Sequence, residues 1–279
     1  MTQRMSFLRY IGAKHRIAPV IARYLQESGA TCLVDVFGGS GAVTMNSGFK
    51  KRVYNDIDGD LVNLFRVLAD PCTRPQLLKR CKWLPPSRQI YEDDYKIYLA
   101  GGFSFVSIAD KVERARATFY RGCFSFGGKM RSGGFQVSFT GRDLIKEVSR
   151  YSNLLRRFNM YGEFWRRTVI ENKSYQKIIS NYGRTTNPVL YFDPPYDGTE
   201  KYYSHHFTKA DHVFLAEQIT MAPAPAVGSY YDTPLVRDLY PKTKWTWHRV
   251  RQTTNSGSNI KLTKKVVDEL ILVKRMDPE

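Results

Sequence analysis

The stretch from Cys32 to Met45 restricts the fold more than any other. A short apolar run, Cys32 to Phe37, carries one carboxylate at Asp35, breaks at Gly38-Gly39-Ser40-Gly41 and resumes as the helix-forming run Ala42 to Met45. A strand that enters a glycine turn and leaves as a helix is the opening of a βα unit. Ahead of it, Ile17, Val20, Ile21, Tyr24 and Leu25 recur at helical spacing between Arg16 and Gln26, and Gly29 follows where a helix would stop. Arg52 to Ile57 reads as a second strand ending near Asp56 and Asp58. Leu61, Leu64, Phe65 and Leu68 then restart the helical period. Such alternation predicts an α/β layered fold.

The rhythm lapses between Pro71 and Trp165, where Tyr, Phe, Gly and Arg accumulate, notably from Arg121 to Phe135. It returns with a strand at Thr168 to Glu171, a helix through Ile178 and Ile179, the strand Val189 to Phe192 and a helix from Asp211 to Ile219. Ala226 to Tyr230 and Glu269 to Lys274 read as closing strands. The expected organisation is therefore one α/β domain built from residues 1–70 and 166–279, with residues 71–165 as a mainly helical inserted domain.

Charge narrows the partner. Lys and Arg number 43 against 26 Asp and Glu, a net charge of +17 and a pI near 9.7. The positive residues are scattered in small clusters with no long basic tail, as expected of a folded basic face that meets a polyanion such as nucleic acid. A membrane surface is the other use of positive charge. No run of about 18 apolar residues exists, and Met1 to Arg9 lacks a signal-peptide core, so a cytoplasmic protein away from the membrane is expected. Cys32, Cys72, Cys81 and Cys123 form no Cys-x-x-Cys pair and read as reduced thiols. His205, His206 and His212 lie near Asp211 without metal-ligand spacing, so no metal is expected and they read as surface or helix-start residues. Without heptads, a monomer with no obligate protein partner is expected.

The strand Val189 to Phe192 stops on Asp193-Pro194-Pro195-Tyr196. In open parallel sheets the ligand crevice lies beyond such carboxyl ends. Two prolines fix the backbone and remove two amide donors, so the Asp193 carboxylate and the Pro194 carbonyl can act as rigid acceptors for one amino group. Tyr196 offers a face on which a planar base can stack, worth about 1–3 kcal/mol in comparable sites. An aromatic amine delocalises its lone pair into the ring; two acceptors on its hydrogens favour a pyramidal, nucleophilic nitrogen, and positioning then carries much of an in-line displacement. At the first glycine turn neither a dinucleotide fingerprint nor a P-loop is present. Asp56, ending the second strand, suits ribose hydroxyls, and a nucleoside without a pyrophosphate fits best.

These residues, in this order, resemble the Dam-like, alpha-group adenine-specific DNA methyltransferases. Phe7 to Lys14 is similar to the family's N-terminal cofactor motif, Val34 to Gly41 to its cofactor loop, Tyr54 to Asp58 to its acidic strand end, and Asp193 to Tyr196 to its catalytic tetrapeptide. Departures are Ala13 for the second glycine of the first motif and Val36 for the proline of the loop. The resemblance implies a Rossmann-like S-adenosylmethionine-dependent methyltransferase domain and an inserted target-recognition domain that binds double-stranded DNA. It implies that Tyr10, Lys14, Asp56 and Asp193 contact S-adenosylmethionine, that Asp35, Phe37, Gly39 and Gly41 shape its pocket, and that Ile57 borders its adenine. Asp193, Pro194 and Tyr196 would hold a flipped base. Arg9, Arg121, Lys129 and Arg131 are assigned to DNA, with Lys129 and Arg131 both open as the base reader, because the family's Asn-Gly-x-x-Arg stretch is here Ser-Phe-Gly-Gly-Lys-Met-Arg. The tetrapeptide grips either amine, so cytosine N4 methylation is the chemical alternative. A DNA-binding regulator without catalysis is the alternative of another class.

Overall fold

In the computed structural model, which describes residues 4–99, 107–130, 132–138, 145–196, 207–254 and 265–276, seven strands form one sheet. They are β1 (Cys32–Asp35), β2 (Lys51–Asn55), β3 (Val169–Glu171), β4 (Pro188–Phe192), β5 (Ala226–Tyr231), β6 (Trp245–Thr254) and β7 (Lys265–Lys274), in the spatial order β3-β2-β1-β4-β5-β7-β6. The first five run parallel, and β7 is antiparallel to both β5 and β6. From β1 the chain builds outward through β2 and β3, then returns to place β4 on the other side of β1. That reversal is the switch point at which open α/β sheets hold ligands.

The strands read as continuous apolar runs because both faces are covered. Leu33, Val189, Tyr191, Val227 and Ile271 pack into one cluster, while their chain neighbours Val34, Leu190, Phe192, Ala226, Leu270 and Leu272 pack into another on the opposite face. The first face is covered by α1 (Ala18–Glu27), with Ile21 and Leu25 inward, and by Val43 of the short α2 (Ala42–Asn46). Gly41 caps α2 with φ 70°, in the left-handed region, and a Cβ there would lie 2.6 Å from the Trp165 ring, so glycine is required twice over.

α3 (Gly59–Ala69) begins at Asp58, whose side chain accepts from the Asp60 amide, and buries residues all around its circumference. It needs partners on both sides, and the second comes from five helices between β2 and β3. These are α4 (Arg74–Lys82), α5 (Arg88–Leu99), α6 (Ile108–Phe124), α7 (Lys146–Arg156) and α8 (Phe158–Arg166). One apolar cluster joins α3, α4, α6, α7 and α8 to Phe7 and Leu8, with Trp165 stacked on Phe65 at 3.9 Å and edge-on to Tyr54 at 5.0 Å. The other face carries α9 (Tyr175–Tyr182), α10 (Lys209–Met221) and α11 (Pro234–Leu239).

Every strand and helix expected from periodicity is present. β6, α11 and the individual helices between Pro71 and Trp165 escaped it, and β7 begins at Lys265 rather than Glu269. Trp-Thr-Trp-His-Arg-Val-Arg, at the start of β6, is an edge strand in which charged residues interrupt any apolar run, and an antiparallel edge tolerates that. No helix among the described residues is long and apolar enough to cross a membrane.

Candidate active site

At the switch point a cavity of about 280 Å³ opens beyond the carboxyl ends of β1, β2 and β4. Its floor is the glycine turn, and four hydrogen bonds tie that turn to β2 and to Asp56 just after it. The Gly38 amide donates to the Asn55 carbonyl (2.7 Å), the Asn55 amide group to the Val36 carbonyl (2.9 Å), the Tyr54 hydroxyl to the Gly39 carbonyl (2.8 Å), and the Gly39 amide to Asp56 Oδ2 (2.7 Å). The other Asp56 oxygen accepts from the Asp58 amide at 2.8 Å. Asp56 is thereby fixed by backbone donors.

Asp35 lines the same cavity and is 1% exposed. Its Oδ2 accepts from the Thr44 hydroxyl at 2.6 Å, and its Oδ1 has no hydrogen-bond partner among the described residues. Burial pushes this carboxyl up to about 7, against the Thr44 bond that pulls it down and with help from the charge of Asp193. An aromatic wall completes the pocket: Phe37 is stacked with Tyr175 at 5.7 Å and meets Phe207 edge-on at 5.7 Å. Ile57, 45% exposed, borders the mouth.

The N-terminal segment closes the cavity with Tyr10 to Lys14. Lys14, although 7% exposed, reaches Asp193 Oδ2 at 2.7 Å, the Gly12 carbonyl at 2.8 Å and Glu269 Oε1 at 3.4 Å. Asp193 Oδ1 accepts from the Tyr196 hydroxyl at 2.9 Å, and the same hydroxyl lies 2.8 Å from Glu269 Oε1. Burial raises the Asp193 carboxyl to about 6; the Lys14 ammonium opposes that rise and the Glu269 carboxylate adds to it. Pro194 and Tyr196 are buried beside the cavity rather than in its lining. The Tyr196 ring is stacked on Tyr230 at 5.6 Å and meets Tyr231 edge-on at 4.4 Å, so one face expected for a base is covered by a neighbouring tyrosine.

Tyr10, Lys14, Asp35, Phe37, Gly39, Asp56, Ile57 and Asp193 therefore converge on one cavity. Gly41 stands behind it as the cap of α2. Glu269 reads in the sequence as the start of a closing strand and not as a site residue; the signal for it was a carboxylate next to the apolar run Leu270 to Val273.

Residues assigned to DNA part company. The Arg9 amide donates to the Gly122 carbonyl (3.3 Å), and its guanidinium, 26% exposed, pairs with Glu147 at 3.1 Å, which joins the edge of the cavity to α6 and α7. Gly128, at φ 73°, approaches the Tyr10 backbone so closely that a Cβ would lie 2.9 Å from it, and this seats half-buried Lys129 beside the same edge. Arg131 lies outside the described residues, as do His205 and His206. Arg121 is 5% exposed, with its guanidinium over the rings of Tyr91 and Tyr95, where it joins α5 to α6. His212 does start α10, yet it is buried at 1% exposure, with Nδ1 3.0 Å from the Tyr230 hydroxyl.

A family model described as D12 class N6 adenine-specific DNA methyltransferase matches residues 10–255. The chain is 25% identical to a DNA adenine methylase of Salmonella typhi and to one of Escherichia coli K12, each over 97% of this chain and 95% of the relative. A DNA adenine methylase of Vibrio cholerae is 28% identical over 86% of both chains.

Proposed function

The chain belongs to the D12 class of N6 adenine-specific DNA methyltransferases, and from that premise we propose that it transfers the methyl group of S-adenosylmethionine to N6 of an adenine turned out of duplex DNA. The observation that carries this reading is the Asp193 carboxylate, held by Lys14 at 2.7 Å on the lip of a cavity whose lining also includes Asp35 and Asp56.

Those residues fit the cofactor. An anionic lining suits a ligand of net positive charge, and the unpartnered Asp35 Oδ1 calls for a donor or a cation. Asp56, at the end of β2 in the cavity lining, suits ribose hydroxyls, while Phe37 and Ile57 offer apolar surface for a base. Tyr10, Lys14, Gly39 and Gly41 complete the binding set. When bound, S-adenosylmethionine supplies an electrophilic methyl group on a cationic sulfur.

The chain's own residues supply positioning. Asp193 accepts a hydrogen of the target amine, and Lys14 favours the ionised form of that carboxylate, in which it can accept. The Pro194-Pro195 pair fixes the turn after β4, so the acceptor does not drift. Tyr196 would contact the flipped base along its open edge. Reaching N6 requires the base to leave the stack, and the positive charge of the chain favours the duplex that must be opened. Residues 71–165 act in this reading as the target-recognition region, with Arg9, Lys129 and Arg131 as its contacts to DNA. A monomer with no obligate protein partner belongs to the same reading.

The relatives are named for adenine, and that favours adenine over cytosine where the acceptor pair alone does not. Nucleoside mass spectrometry of duplex DNA treated with the protein and labelled S-adenosylmethionine tests this: N6-methyladenine is expected, and Asp193→Ala removes it. Finding N4-methylcytosine instead, or no methylated base in any duplex, would overturn the reading.

A further inference from the structure

Glu269 lies outside every motif that marks the site. It belongs to β7, which runs against its neighbours, and it is 5% exposed. Its Oε1 is 2.8 Å from the Tyr196 hydroxyl and 3.4 Å from the Lys14 ammonium. The same hydroxyl is 2.9 Å from Asp193 Oδ1, and the same ammonium is 2.7 Å from Asp193 Oδ2. Two carboxylates thus share one phenol and one cation. A phenol has a single hydrogen to donate, so each carboxylate takes what the other gives up.

We infer that Glu269 is a positioning residue for methyl transfer: by competing with Asp193 for the Tyr196 hydrogen and the Lys14 charge, it leaves Asp193 open to accept the amino group of the target base. This rests on the cavity being a methyl-transfer centre. In a chain without the Glu269 charge, the Tyr196 hydrogen and the Lys14 charge are drawn more strongly to Asp193. The carboxylate is then already satisfied and becomes a weaker acceptor for substrate.

The titration of Asp193 reports this competition. Groups facing it are Lys14 from the N-terminal segment, Asp35 from β1, Tyr191 from β4, Tyr196 from the turn that follows, Tyr230 and Tyr231 from β5, and Glu269 from β7. Substituting Glu269 by glutamine keeps the shape and all the other groups, and removes one negative charge that raises the Asp193 carboxyl. Asp193 must then titrate at lower pH. A carboxylate that only packed β7 against β5 could move that titration through its charge, but it would leave the single-turnover rate where it is.

The experiment compares wild type, Glu269→Gln and Glu269→Asp in two ways. One is single-turnover methyl transfer to duplex DNA as a function of pH. The other is carbon-13 NMR titration of aspartate-labelled protein, with the Asp193 signal assigned by its loss in Asp193→Asn. Glu269→Gln should slow the single turnover by roughly 10- to 100-fold, as for a lost charge-assisted partner. It should change S-adenosylmethionine affinity far less, and shift both the acid limb of the rate and the Asp193 signal to lower pH. Glu269→Asp, which restores the charge, should recover part of the rate. A wild-type rate in Glu269→Gln, or an Asp193 titration that stays put or moves up, overturns the inference. If the wild type itself methylates no duplex, the reading of the cavity fails, while the NMR titration, which needs no turnover, still decides whether Glu269 governs Asp193.

Discussion

The Lys14 ammonium lies 2.7 Å from the Asp193 carboxylate, so a residue from the N-terminal segment completes a centre whose acidic half comes from the end of β4. Lys14 is the group that opposes the rise of the Asp193 carboxyl. Replacing it by methionine leaves Asp193 facing Glu269 without a counter-charge, and the carboxyl must climb above its present value of about 6. The acid limb of kcat/KM should therefore move to higher pH in Lys14→Met, the reverse of the shift expected for Glu269→Gln. A pH-rate profile of the variant checks the sign.

Two raised carboxyls also make stability depend on pH. Asp35 at about 7 and Asp193 at about 6 both stand above their ordinary value near 3.8. A group raised on folding binds its proton more tightly in the native state, so its contribution is fully present below about pH 4 and is lost as pH rises through the folded value. For Asp35 the loss at neutral pH is on the order of 4 kcal/mol. The ligand-free protein should melt at a higher temperature near pH 5 than near pH 8. Asp35→Asn should flatten that dependence and raise neutral stability while weakening S-adenosylmethionine binding. Thermal melts of both proteins across this range, with calorimetric binding of the cofactor, measure the trade.

The floor and both acidic corners of this site were legible in the sequence because each belongs to a strand end followed by a stop signal. The Gly38 turn marks the end of β1, Asp56 the end of β2, and the two prolines after Asp193 the end of β4. Local chemistry of that kind survives folding unchanged. What stayed hidden depends on contacts between distant segments. Glu269 becomes part of the site only because β7 inserts between β5 and β6, a pairing that no local pattern specifies. The burial of Arg121 is hidden for a related reason: a cationic residue in a basic, aromatic stretch reads as a surface group, and it is the contact of α6 with α5 that brings Tyr91 and Tyr95 against it.

Trp165 tests how far the five-helix segment depends on the rest of the molecule. It is fully buried, stacked on Phe65 of α3 at 3.9 Å and edge-on to Tyr54 of β2 at 5.0 Å. Truncation to alanine removes a large ring from a cluster that joins α3 to the inserted helices, and losses for such residues run to about 3–5 kcal/mol. Trp165→Ala should lower stability by roughly that amount and keep a single unfolding transition, because one apolar cluster joins both parts. Separate transitions for the helical segment and the sheet in denaturant melts would contradict that coupling.

Arg121 and Lys129 sit close in sequence and should behave oppositely. Arg121 is enclosed by Tyr91 and Tyr95, so Arg121→Ala strips packing from the α5–α6 contact and should lower stability by roughly 2 kcal/mol. Its effect on the salt dependence of DNA affinity should be nil, since a buried guanidinium displaces no counterion from phosphate. Lys129 sits at the edge of the cavity, seated by the close approach of Gly128 to the Tyr10 backbone. Lys129→Ala should leave the melting temperature near wild type and weaken DNA binding. If Lys129 meets a phosphate, the slope of log affinity against log salt falls by about one and all sequences weaken alike; if it meets a base, the slope holds and discrimination between sequences relaxes. Binding isotherms for the two variants at several salt concentrations, on specific and unrelated duplexes, separate these roles.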